Sequence, residues 1–515
     1  MNKGLYRLWL RIVFGTENLP RSENGQTPGC HQYWYYASSL AILVGLLLRL
    51  IHYLRNCSLW LDESKLALNL VWQPFMRLLG PLAYHQSAPV GFLWTEKVIV
   101  KLLGGSELAL RLIPFLAGVA SLLLIGKLAI KYCGPRASFF AISLFAIVPS
   151  LINYSAEVKQ YSTDVLVSIL ILLSYERLIK KTPFWASRIY PLLLGCAAIF
   201  FSHPAVFMLA GLGLAALLYH TERKNWRACA EMCGIGLIWI VLIGLNYWLF
   251  LKRFTHRQDL LDYWGEGFPA FKSVPATAEW IRSSLTDVFE RTMDLDLAFA
   301  SVLVFLIGTY RGIKDSKRSR AAALLLPWFF CLIAASMHLY PFKGRLILFL
   351  IPSVVIFTGK GLAVMLPGGK NKILTAAGII AICLVYGGAI GTMLDDGIDG
   401  AEDEMLRPVF RHISQNDTGE DILYLYPYCS PQFRYYETVY NFGVEAEMII
   451  PRKSARHRQR LRKYLRDNKR VWVVYPDDRE DMRPIVEKAH QGAGNMHHHF
   501  QAGNSGTYLL VPQQN

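Results

Sequence analysis

The sequence contains an almost continuous apolar run, Ala37-Ser-Ser-Leu-Ala-Ile-Leu-Val-Gly-Leu-Leu-Leu-Arg-Leu-Ile-His-Tyr53, from which the architecture of the chain follows. Runs of roughly 20 apolar residues match the hydrocarbon thickness of a bilayer. Cys57-Ser-Leu-Trp-Leu-Asp-Glu-Ser64 follows shortly afterwards and carries two adjacent acids, Asp62 and Glu63. Because an Asp at the bilayer centre costs about 2.5 to 3.5 kcal/mol, we expect this pair at the membrane surface.

Similar apolar runs recur along the 515 residues, of which 53% are hydrophobic and only 18% are charged. This composition predicts a polytopic membrane protein that is mostly α-helical. About eleven spans are predicted, near residues 37–53, 108–130, 137–152, 164–175, 190–201, 205–219, 232–251, 297–310, 321–337, 346–366 and 373–394. The runs near 164 and 190 are the shortest.

Lys and Arg residues predict the orientation of these spans. They concentrate in the amino-terminal segment and in every second loop, near residues 3–21, 127–136, 177–188, 223–227, 311–320 and 370–372. Basic loops face the cytoplasm, so the alternate loops are predicted to be extracytoplasmic. These are residues 54–107, 153–163, 202–204, 252–296, 338–345 and the tail after 394. The formal net charge of +16 is therefore explained by topology and lipid headgroups, and nucleic acid is not an expected partner.

The hydrophobic pattern of the tail differs from that of the rest of the chain. Helix-like stretches at 407–415, 430–440, 454–468 and 482–492 alternate with strand-like ones at 421–426, 444–450, 470–475 and 506–511, which predicts a small α/β domain. We therefore expect a cytoplasmic segment at 1–36, a transmembrane domain at 37–394 and a soluble extracytoplasmic domain at 395–515. The basic run 452–470 suits a solvated helix near anionic headgroups, and His497, His498 and His499 have poor spacing for a metal site.

The acidic pair in the first outer loop has two interpretations. Asp62 is a suitable cap for an interfacial helix, because its carboxylate can accept hydrogen bonds from free amide groups. It is also a candidate catalytic base. Adjacent side chains point in different directions, so Asp62 and Glu63 do not flank one bond as the carboxylates of a glycosidase do.

Two further outer loops carry charged motifs at the mouths of predicted spans. One contains Glu157-Val-Lys159-Gln-Tyr161, and the other contains Tyr340-Pro-Phe-Lys343-Gly-Arg345. A surface ion pair and headgroup anchoring are the structural interpretations of these charges. Lys and Arg also suit a phosphate held at the bilayer surface. The short turn from Phe201 to Pro204 is interpreted as structural.

Taken together, the motifs are similar in order and topology to those of bacterial relatives of protein O-mannosyltransferases and of the lipid A aminoarabinose transferase. These are integral-membrane glycosyltransferases of the GT-C fold. The resemblance covers roughly residues 37–394. It rests on Asp62-Glu63, on Ala88-Pro89, on Glu107 with Arg111 and Pro114, on Glu157 to Tyr161, and on Tyr340 to Arg345. Lys159 stands where Arg is often found in such relatives, a departure that keeps the positive charge.

The resemblance implies a polyprenyl-phosphate sugar as donor, a lipid, glycan or protein as acceptor, and a bacterial inner membrane as location. In the resulting hypothesis Asp62 takes the proton of an acceptor hydroxyl in an inverting displacement. The leaving phosphate is neutralised by Lys159, Lys343 and Arg345. Glu63 and Glu157 orient the acceptor or hold, with Asp62, a divalent metal ion. The expected sugar or acceptor contacts are Tyr84, His85, Tyr161 and Tyr340.

Two other classes of protein share parts of this pattern. A transporter or flippase of lipid-linked saccharides also has many spans, but its ionisable residues tend to lie inside the spans. In this sequence the charges gather at the predicted outer surface, which favours an enzyme. A polysaccharide polymerase or ligase uses a lipid-linked donor too, and transfers a whole glycan.

Overall fold

The structure, a computed structural model, describes residues 3–15, 29–180, 187–252, 262–269, 271, 273–295, 297–315, 318–366, 372–399, 405–425, 427–443, 463–467, 469–476 and 494–512. The chain divides into two compact units. The first comprises Met1–Leu54, Ser87–Leu93 and Arg111–Asp395, and the second comprises Arg55–Gln86, Trp94–Leu110 and Asp396–Asn515. Two stretches of the predicted first outer loop thus belong to the same unit as the carboxy-terminal tail.

The helices of the first unit, in chain order, are α1 (Lys3–Phe14), α2 (Gly29–Arg55), α6 (Leu112–Ile147), α7 (Pro149–Asn153), α8 (Tyr161–Ile179), α9 (Ile189–Phe201), α10 (Ala205–Glu222), α11 (Trp226–Asn246), α12 (Val274–Asp287), α13 (Ala298–Lys314), α14 (Arg318–Ser336), α15 (Ile351–Met365) and α16 (Lys372–Asp399). The second unit contains α3 (Leu61–Trp72), most of α4 (Val90–Leu103), α5 (Glu107–Leu110), α17 (Leu406–Asn416) and α18 (Ser430–Tyr440).

Seven helical segments within the described ranges are long and apolar enough to cross a bilayer. They are Gln32–Arg55, Leu112–Ile147, Ala205–Glu222, Trp226–Leu251, Arg318–Ser336, Gly344–Met365 and Thr375–Thr392. Helices satisfy their own backbone hydrogen bonds, which is what hydrocarbon requires. The protein is therefore a multi-pass membrane protein, as predicted, and the predicted number of about eleven spans is not confirmed.

Two predicted spans, 108–130 and 137–152, lie largely within the single element α6. Its 36 residues contain one break at Gly134, where φ is 75° and ψ is 171°. A positive φ is costly for residues with a Cβ atom, and Pro135 follows, which cannot donate a backbone hydrogen bond. The predicted basic loop between the two spans is therefore a sharp corner between two helical segments.

Small residues let the helices of the first unit approach closely. A Cβ atom added at Gly308 of α13 would lie 1.7 Å from the carbonyl oxygen of Phe357 in α15. One added at Gly361 would lie 2.1 Å from the carbonyl oxygen of Val304. Because lipid tails are as apolar as the side chains, close backbone packing of this kind drives helix association in membranes.

The amino-terminal segment also contains structure that the sequence did not indicate. Leu10, Val13 and Phe14 of α1 are buried in the core of the first unit. Gly126 of α6 lies directly against the backbone of Val13, because a Cβ atom there would be 2.6 Å from its carbonyl oxygen. Residues 3–14 thus form part of the helical bundle.

The second unit has a four-stranded sheet made of β1 (Ile422–Leu425), β2 (Val471–Tyr475), β3 (Gly494–Ala502) and β4 (Ser505–Pro512). The strand order is β1-β2-β4-β3, with β1 parallel to β2 and the other pairs antiparallel. The core beneath it includes Ile422, Val471, Val473, Tyr508 and Leu510. A small α/β region is therefore present, as predicted.

Several predicted elements of the tail match the described ones, and others fall outside them. The helices expected at 407–415 and 430–440 correspond to α17 and α18, and the strands expected at 421–426, 470–475 and 506–511 correspond to β1, β2 and β4. The strand expected at 444–450, the helix at 482–492, and most of the helix at 454–468 and of the basic run lie outside the described residues. His497, His498 and His499 lie on β3, a strand that was not predicted.

The close approach of α13 and α15 gives a test of the fold. Gly308→Ala should separate the two helices and destabilise the protein by about 1 to 3 kcal/mol, since overpacking a close contact forces the backbones apart. The measurement is the midpoint of thermal unfolding of the purified protein in detergent.

Gly236→Ala is the matched control for that substitution. Gly236 lies in α11, and a Cβ atom added there meets no atom within 4 Å. Alanine favours a helix over glycine, so the control should leave the midpoint unchanged or raise it. A Gly308→Ala protein as stable as this control would contradict the packing at α13 and α15.

Candidate functional site

The predicted site residues form two groups, one in each unit. Glu157, Lys159, Tyr161, Tyr340, Lys343 and Arg345 belong to the first unit, and Asp62, Glu63, Tyr84 and His85 belong to the second.

In the first unit, residues 154–160 form a tight connection into α8. The Lys159 amide donates to the Glu157 carbonyl over 2.7 Å, and the Ser162 hydroxyl donates to the Tyr154 carbonyl over 2.8 Å. The rings of Tyr154 and Tyr161 lie edge to face, with centroids 5.1 Å apart. Lys159 is only 6% exposed, and a cation that is buried to this extent requires contacts with anionic or polar groups.

Arg345 reaches the same connection from a different loop. Its guanidinium carbon lies 5.7 Å from the ring centroid of Tyr161 and 5.8 Å from that of Trp264. Cation–π contacts at this distance favour a fixed orientation of the guanidinium group. The structure therefore brings Tyr161 and Arg345 together, as a shared site requires. Trp264 lies in a long loop without a motif, and no sequence signal pointed to it.

Tyr154 is a further member of this group that the sequence analysis did not single out. Burial raises the pKa of its phenol, the Glu157 carboxylate raises it further, and the Arg345 guanidinium opposes that effect. The phenol is therefore a neutral hydrogen-bond donor across the physiological pH range. A neutral donor beside a cation suits a site for an oxyanion.

Lys343 and Tyr340 are held by contacts of their own. The Lys343 ammonium pairs with Glu266, whose Oε2 atom also lies 3.2 Å from Nη1 of Arg291. The hydrogen bond from Lys343, followed by the one from Arg291, lowers the pKa of Glu266. The Tyr340 hydroxyl donates to the Leu346 carbonyl over 2.7 Å. The loop at 340–346 is thus fastened both to itself and to the loop that carries Glu266.

In the second unit, the two acids of the first outer loop have different environments. Helix α3 begins after Trp60, whose amide donates to Oε2 of Glu63 over 3.3 Å. The carboxylate of the buried Glu63 caps the start of α3 by accepting this hydrogen bond. The sequence analysis had suggested Asp62 as the cap. Asp62 is partly exposed, and its Oδ1 atom lies 3.8 Å from the Lys65 ammonium.

Tyr84 and His85 have an unusual backbone conformation. Their φ angles are 57° and 58°, in the left-handed region that residues with a Cβ atom seldom adopt. Asn69 of α3 holds the preceding residue with two hydrogen bonds, accepting from the Ala83 amide over 2.7 Å and donating to its carbonyl over 3.1 Å. The Tyr84 hydroxyl also accepts from Arg434 of α18 over 3.3 Å. This loop is therefore held in one shape from both sides.

Glu107 lies at the centre of a buried ion pair in the second unit. Its Oε1 atom accepts from Arg407 of α17 over 2.7 Å, and its Oε2 atom accepts from the Tyr440 hydroxyl. Arg407 also donates to the carbonyl of Asn56 over 2.7 Å. This interaction joins the start of α5 to the tail, so the structure gives Glu107 a structural role.

The metal ion of the hypothesis needs a set of ligands close together. Across the part of the chain that the structure describes, no three His, Cys, Asp or Glu side chains are grouped so as to hold a metal ion. Of the proposed ligands, Asp62 and Glu63 lie in the second unit and Glu157 lies in the first.

Comparisons with known proteins bear on the fold. The family model for dolichyl-phosphate-mannose-protein mannosyltransferase matches residues 87–248. The crystal structure of ArnT from Cupriavidus metallidurans bound to undecaprenyl phosphate is similar, with 14% identity and a TM-score of 0.51, over 93% of this chain and 98% of that one.

The chain has the GT-C fold. This outcome confirms the fold class expected from the order of the motifs. The GT-C match extends over the carboxy-terminal tail as well as the membrane helices, whereas the expected resemblance ended near residue 394.

A second similar structure is the archaeal oligosaccharyltransferase AglB from Archaeoglobus fulgidus, in complex with an inhibitory peptide and a dolichol-phosphate. It is 13% identical, with a TM-score of 0.49, over 92% of this chain and 74% of that one. No curated protein matches the chain significantly.

The Glu107 ion pair predicts a strong effect on stability. Arg407→Met should leave a fully buried carboxylate without its cation and destabilise the second unit by about 3 kcal/mol. Limited proteolysis of the full-length protein in detergent, with fragments identified by mass spectrometry, would show faster cleavage within the tail.

The double variant Glu107→Gln with Arg407→Met is the matched control. It removes the carboxylate charge together with the guanidinium, and the amide that replaces the carboxylate keeps a hydrogen-bond acceptor for Tyr440. Cleavage should return most of the way to the wild-type rate. Equal rates in the single and double variants would show that the charge of Glu107 is not what Arg407 compensates.

Proposed function

We propose that the protein is a membrane glycosyltransferase that moves a sugar from a polyprenyl-phosphate donor to an acceptor. The observation that carries this proposal is the group formed by Lys159, Arg345, Tyr154 and Tyr161 next to Lys343 on a GT-C fold. One buried and two partly buried cations, a neutral phenol and aromatic rings at the mouth of apolar helices suit a phosphate whose lipid tail lies in the bilayer.

The phosphate is the leaving group of this reaction. ArnT of Cupriavidus metallidurans was crystallised with undecaprenyl phosphate, which supports a lipid phosphate as the ligand of the similar fold here. Negative charge grows on the phosphate oxygen as its bond to the anomeric carbon breaks. Fixed cations therefore stabilise the transition state more than the ground state. Lys159, Lys343 and Arg345 take this role.

Asp62 is the proposed general base. It accepts the proton of an acceptor hydroxyl while that oxygen forms a bond to the anomeric carbon and the bond to the phosphate oxygen breaks. Polyprenyl phosphate leaves, and the anomeric configuration inverts. The Lys65 ammonium lies 3.8 Å from Oδ1 of Asp62, and α3, capped by Glu63, fixes the position of this acid.

Other predicted residues assist without taking part in proton transfer. Glu157 orients the acceptor, and Tyr84 and His85 contact the acceptor from their fixed loop. Tyr161 and Tyr340 shape the donor site. A divalent metal ion held by Asp62, Glu63 and Glu157 is part of the hypothesis, and loss of activity on chelation with recovery on adding metal would test it.

From the distribution of Lys and Arg along the sequence, we predict that the site faces the extracytoplasmic side and that the amino terminus lies in the cytoplasm. The proposed location is the bacterial inner membrane. Nucleotide sugars are not available on that side, which is why a lipid-linked donor is required. The acceptor is a lipid, a glycan or a protein.

The role of Asp62 is tested by Asp62→Asn, which keeps the shape of the side chain and removes the base. Transfer should fall by about 10²- to 10⁴-fold, the usual contribution of a general base. The measurement is mass spectrometry of envelope lipids and glycans from a deletion strain that carries either the intact chain or the variant at matched expression.

Asp467→Asn, at an exposed acid of the same unit, controls for loss of one negative charge and should give the wild-type profile. A sugar that appears with the intact chain and the control but not with Asp62→Asn supports the proposal. If Asp62→Asn also restores the wild-type profile, Asp62 is not the base and a transporter of lipid-linked saccharides becomes the better account.

The phosphate site is tested by Lys343→Gln and Arg345→Gln. Each should weaken binding of undecaprenyl phosphate to the purified protein by about tenfold or more, because a charge-assisted hydrogen bond is lost. Glu266→Gln should instead strengthen the binding of undecaprenyl phosphate, since it removes the carboxylate that competes with phosphate for Lys343.

The matched control for these variants is Arg311→Gln, which removes an exposed cation of the same unit that pairs with Asp315. Its affinity for undecaprenyl phosphate should equal that of the wild type. If all three cation variants lose affinity equally, general charge rather than a defined site explains binding. If only acceptor preference changes in Lys343→Gln and Arg345→Gln, the phosphate assignment is wrong.

A further inference from the structure

A group of buried polar side chains lies at the start of α8 and in the turn between α9 and α10. We call it the polar cluster; it consists of Gln160, Thr163, Asp164, Ser202 and His203. The Asp164 carboxylate accepts a hydrogen bond from the Ser202 side chain, which joins the two segments. Gln160, Thr163 and Asp164 share one face of α8, because residues three and four apart are neighbours on a helix.

Several polar atoms of this cluster are buried without a hydrogen-bond partner among the described residues. They are Oε1 of Gln160, Oγ1 of Thr163, Oδ1 of Asp164 and both ring nitrogens of His203. Gln160, Thr163 and Asp164 are each at least nine-tenths buried. Native proteins satisfy nearly all buried polar groups, so several such atoms in one place indicate a ligand that supplies the missing partners.

The chemistry of the cluster specifies the kind of ligand. Asp164, Gln160 and Thr163 offer oxygen acceptors. Burial lowers the pKa of His203 to about 4, so its imidazole is neutral and provides one donor and one acceptor. The ligand must therefore both donate and accept several hydrogen bonds. A ring that carries several hydroxyl groups meets this requirement.

The cluster adjoins the proposed phosphate site. Tyr161, which contacts Arg345, precedes Asp164 by three residues and lies on a neighbouring part of the same helix face. Burial, followed by the nearby Asp164 carboxylate, raises the pKa of the Tyr340 phenol, which places Tyr340 beside the cluster. The Tyr340 ring packs against Phe207 with centroids 5.0 Å apart, so an aromatic wall borders the polar atoms.

A purely structural role explains only part of this arrangement. Asp164 in the first turn of α8 interacts favourably with the helix dipole, and its bond to Ser202 fastens the turn. These interactions leave the second carboxylate oxygen, the Gln160 carbonyl and the His203 ring unexplained.

We propose that the polar cluster binds the hydroxyl groups of the donor sugar and so selects which lipid-linked sugar the protein uses. This inference rests on the proposed function, because it takes the neighbouring cations as the site of the donor phosphate. Asp164 and Gln160 accept from sugar hydroxyls, His203 donates to or accepts from another, and the aromatic wall contacts the C–H face of the ring.

The test compares the carrier lipid with its sugar conjugates. Full-length protein in detergent is titrated with undecaprenyl phosphate alone and with a panel of undecaprenyl-phosphate monosaccharides that includes hexoses, pentoses and an amino sugar. The wild type should bind one conjugate at least about tenfold more tightly than the carrier. Asp164→Ala and His203→Phe should each reduce that preference by about tenfold and leave the affinity for the carrier unchanged.

Two additional variants separate recognition from folding. Asp164→Asn keeps the size of the side chain and a bond to Ser202, and it should lose preference like Asp164→Ala. Ser168→Ala removes a buried hydroxyl of the same helix that donates to the Phe349 carbonyl over 2.7 Å, outside the cluster. Its stability should fall and its preference should not change.

The outcomes distinguish this inference from the proposed function. If neither the carrier nor any conjugate binds the wild type, the proposed function itself fails. If the wild type binds the carrier and all conjugates equally, or if the variants keep the preference, the cluster does not recognise the sugar and the inference is overturned. Loss of carrier binding in both Asp164→Ala and His203→Phe would also overturn it, because the role would then be structural.

Discussion

The constraint on which this structure depends is that backbone amide and carbonyl groups must be hydrogen-bonded inside hydrocarbon. It forces the chain of the first unit into helices and leaves irregular backbone at their ends. The connection at 154–160 and the loop at 340–346 are therefore the places where polar side chains gather. Close helix packing at Gly308 and Gly361 supports these ends from within the bundle.

The charged groups of the candidate site are held before any ligand arrives. Arg345 lies over two aromatic rings, and Lys343 is paired with Glu266. Fixed groups of this kind lose little freedom on binding, which is why preorganised charges stabilise a developing charge so effectively. The pairing with Glu266 also means that any anion that binds Lys343 must compete with a carboxylate.

In the second unit a similar principle applies to a loop. The left-handed backbone of Tyr84 and His85 is unfavourable by itself, and the hydrogen bonds of Asn69 to Ala83 compensate for it. Within the same unit, the buried pair of Glu107 and Arg407 connects the first outer loop to the carboxy-terminal tail. The tail is thus part of the architecture that supports the acidic pair of α3.

The sequence by itself determined the membrane class, the GT-C fold, the small α/β region of the tail and the loops that carry charge. Length of apolar runs and local periodicity are sufficient for these features except the GT-C fold, which the resemblance of the motifs to a known family implied. The predicted number of about eleven spans is not confirmed, and the basic loop expected between two of them is a corner at Gly134. Local patterns also provided no sign of α1 as part of the bundle.

Only the tertiary structure decided which charged groups pair. Lys343 pairs with a residue 77 positions away and Glu107 with one 300 positions away, separations that no local pattern specifies. The same holds for the hydrogen bond between Asp164, at the start of α8, and Ser202, in the turn between α9 and α10. Apolar periodicity is a local property of the chain. The partners of a polar side chain depend on which helices pack together, and that is settled only when the fold forms.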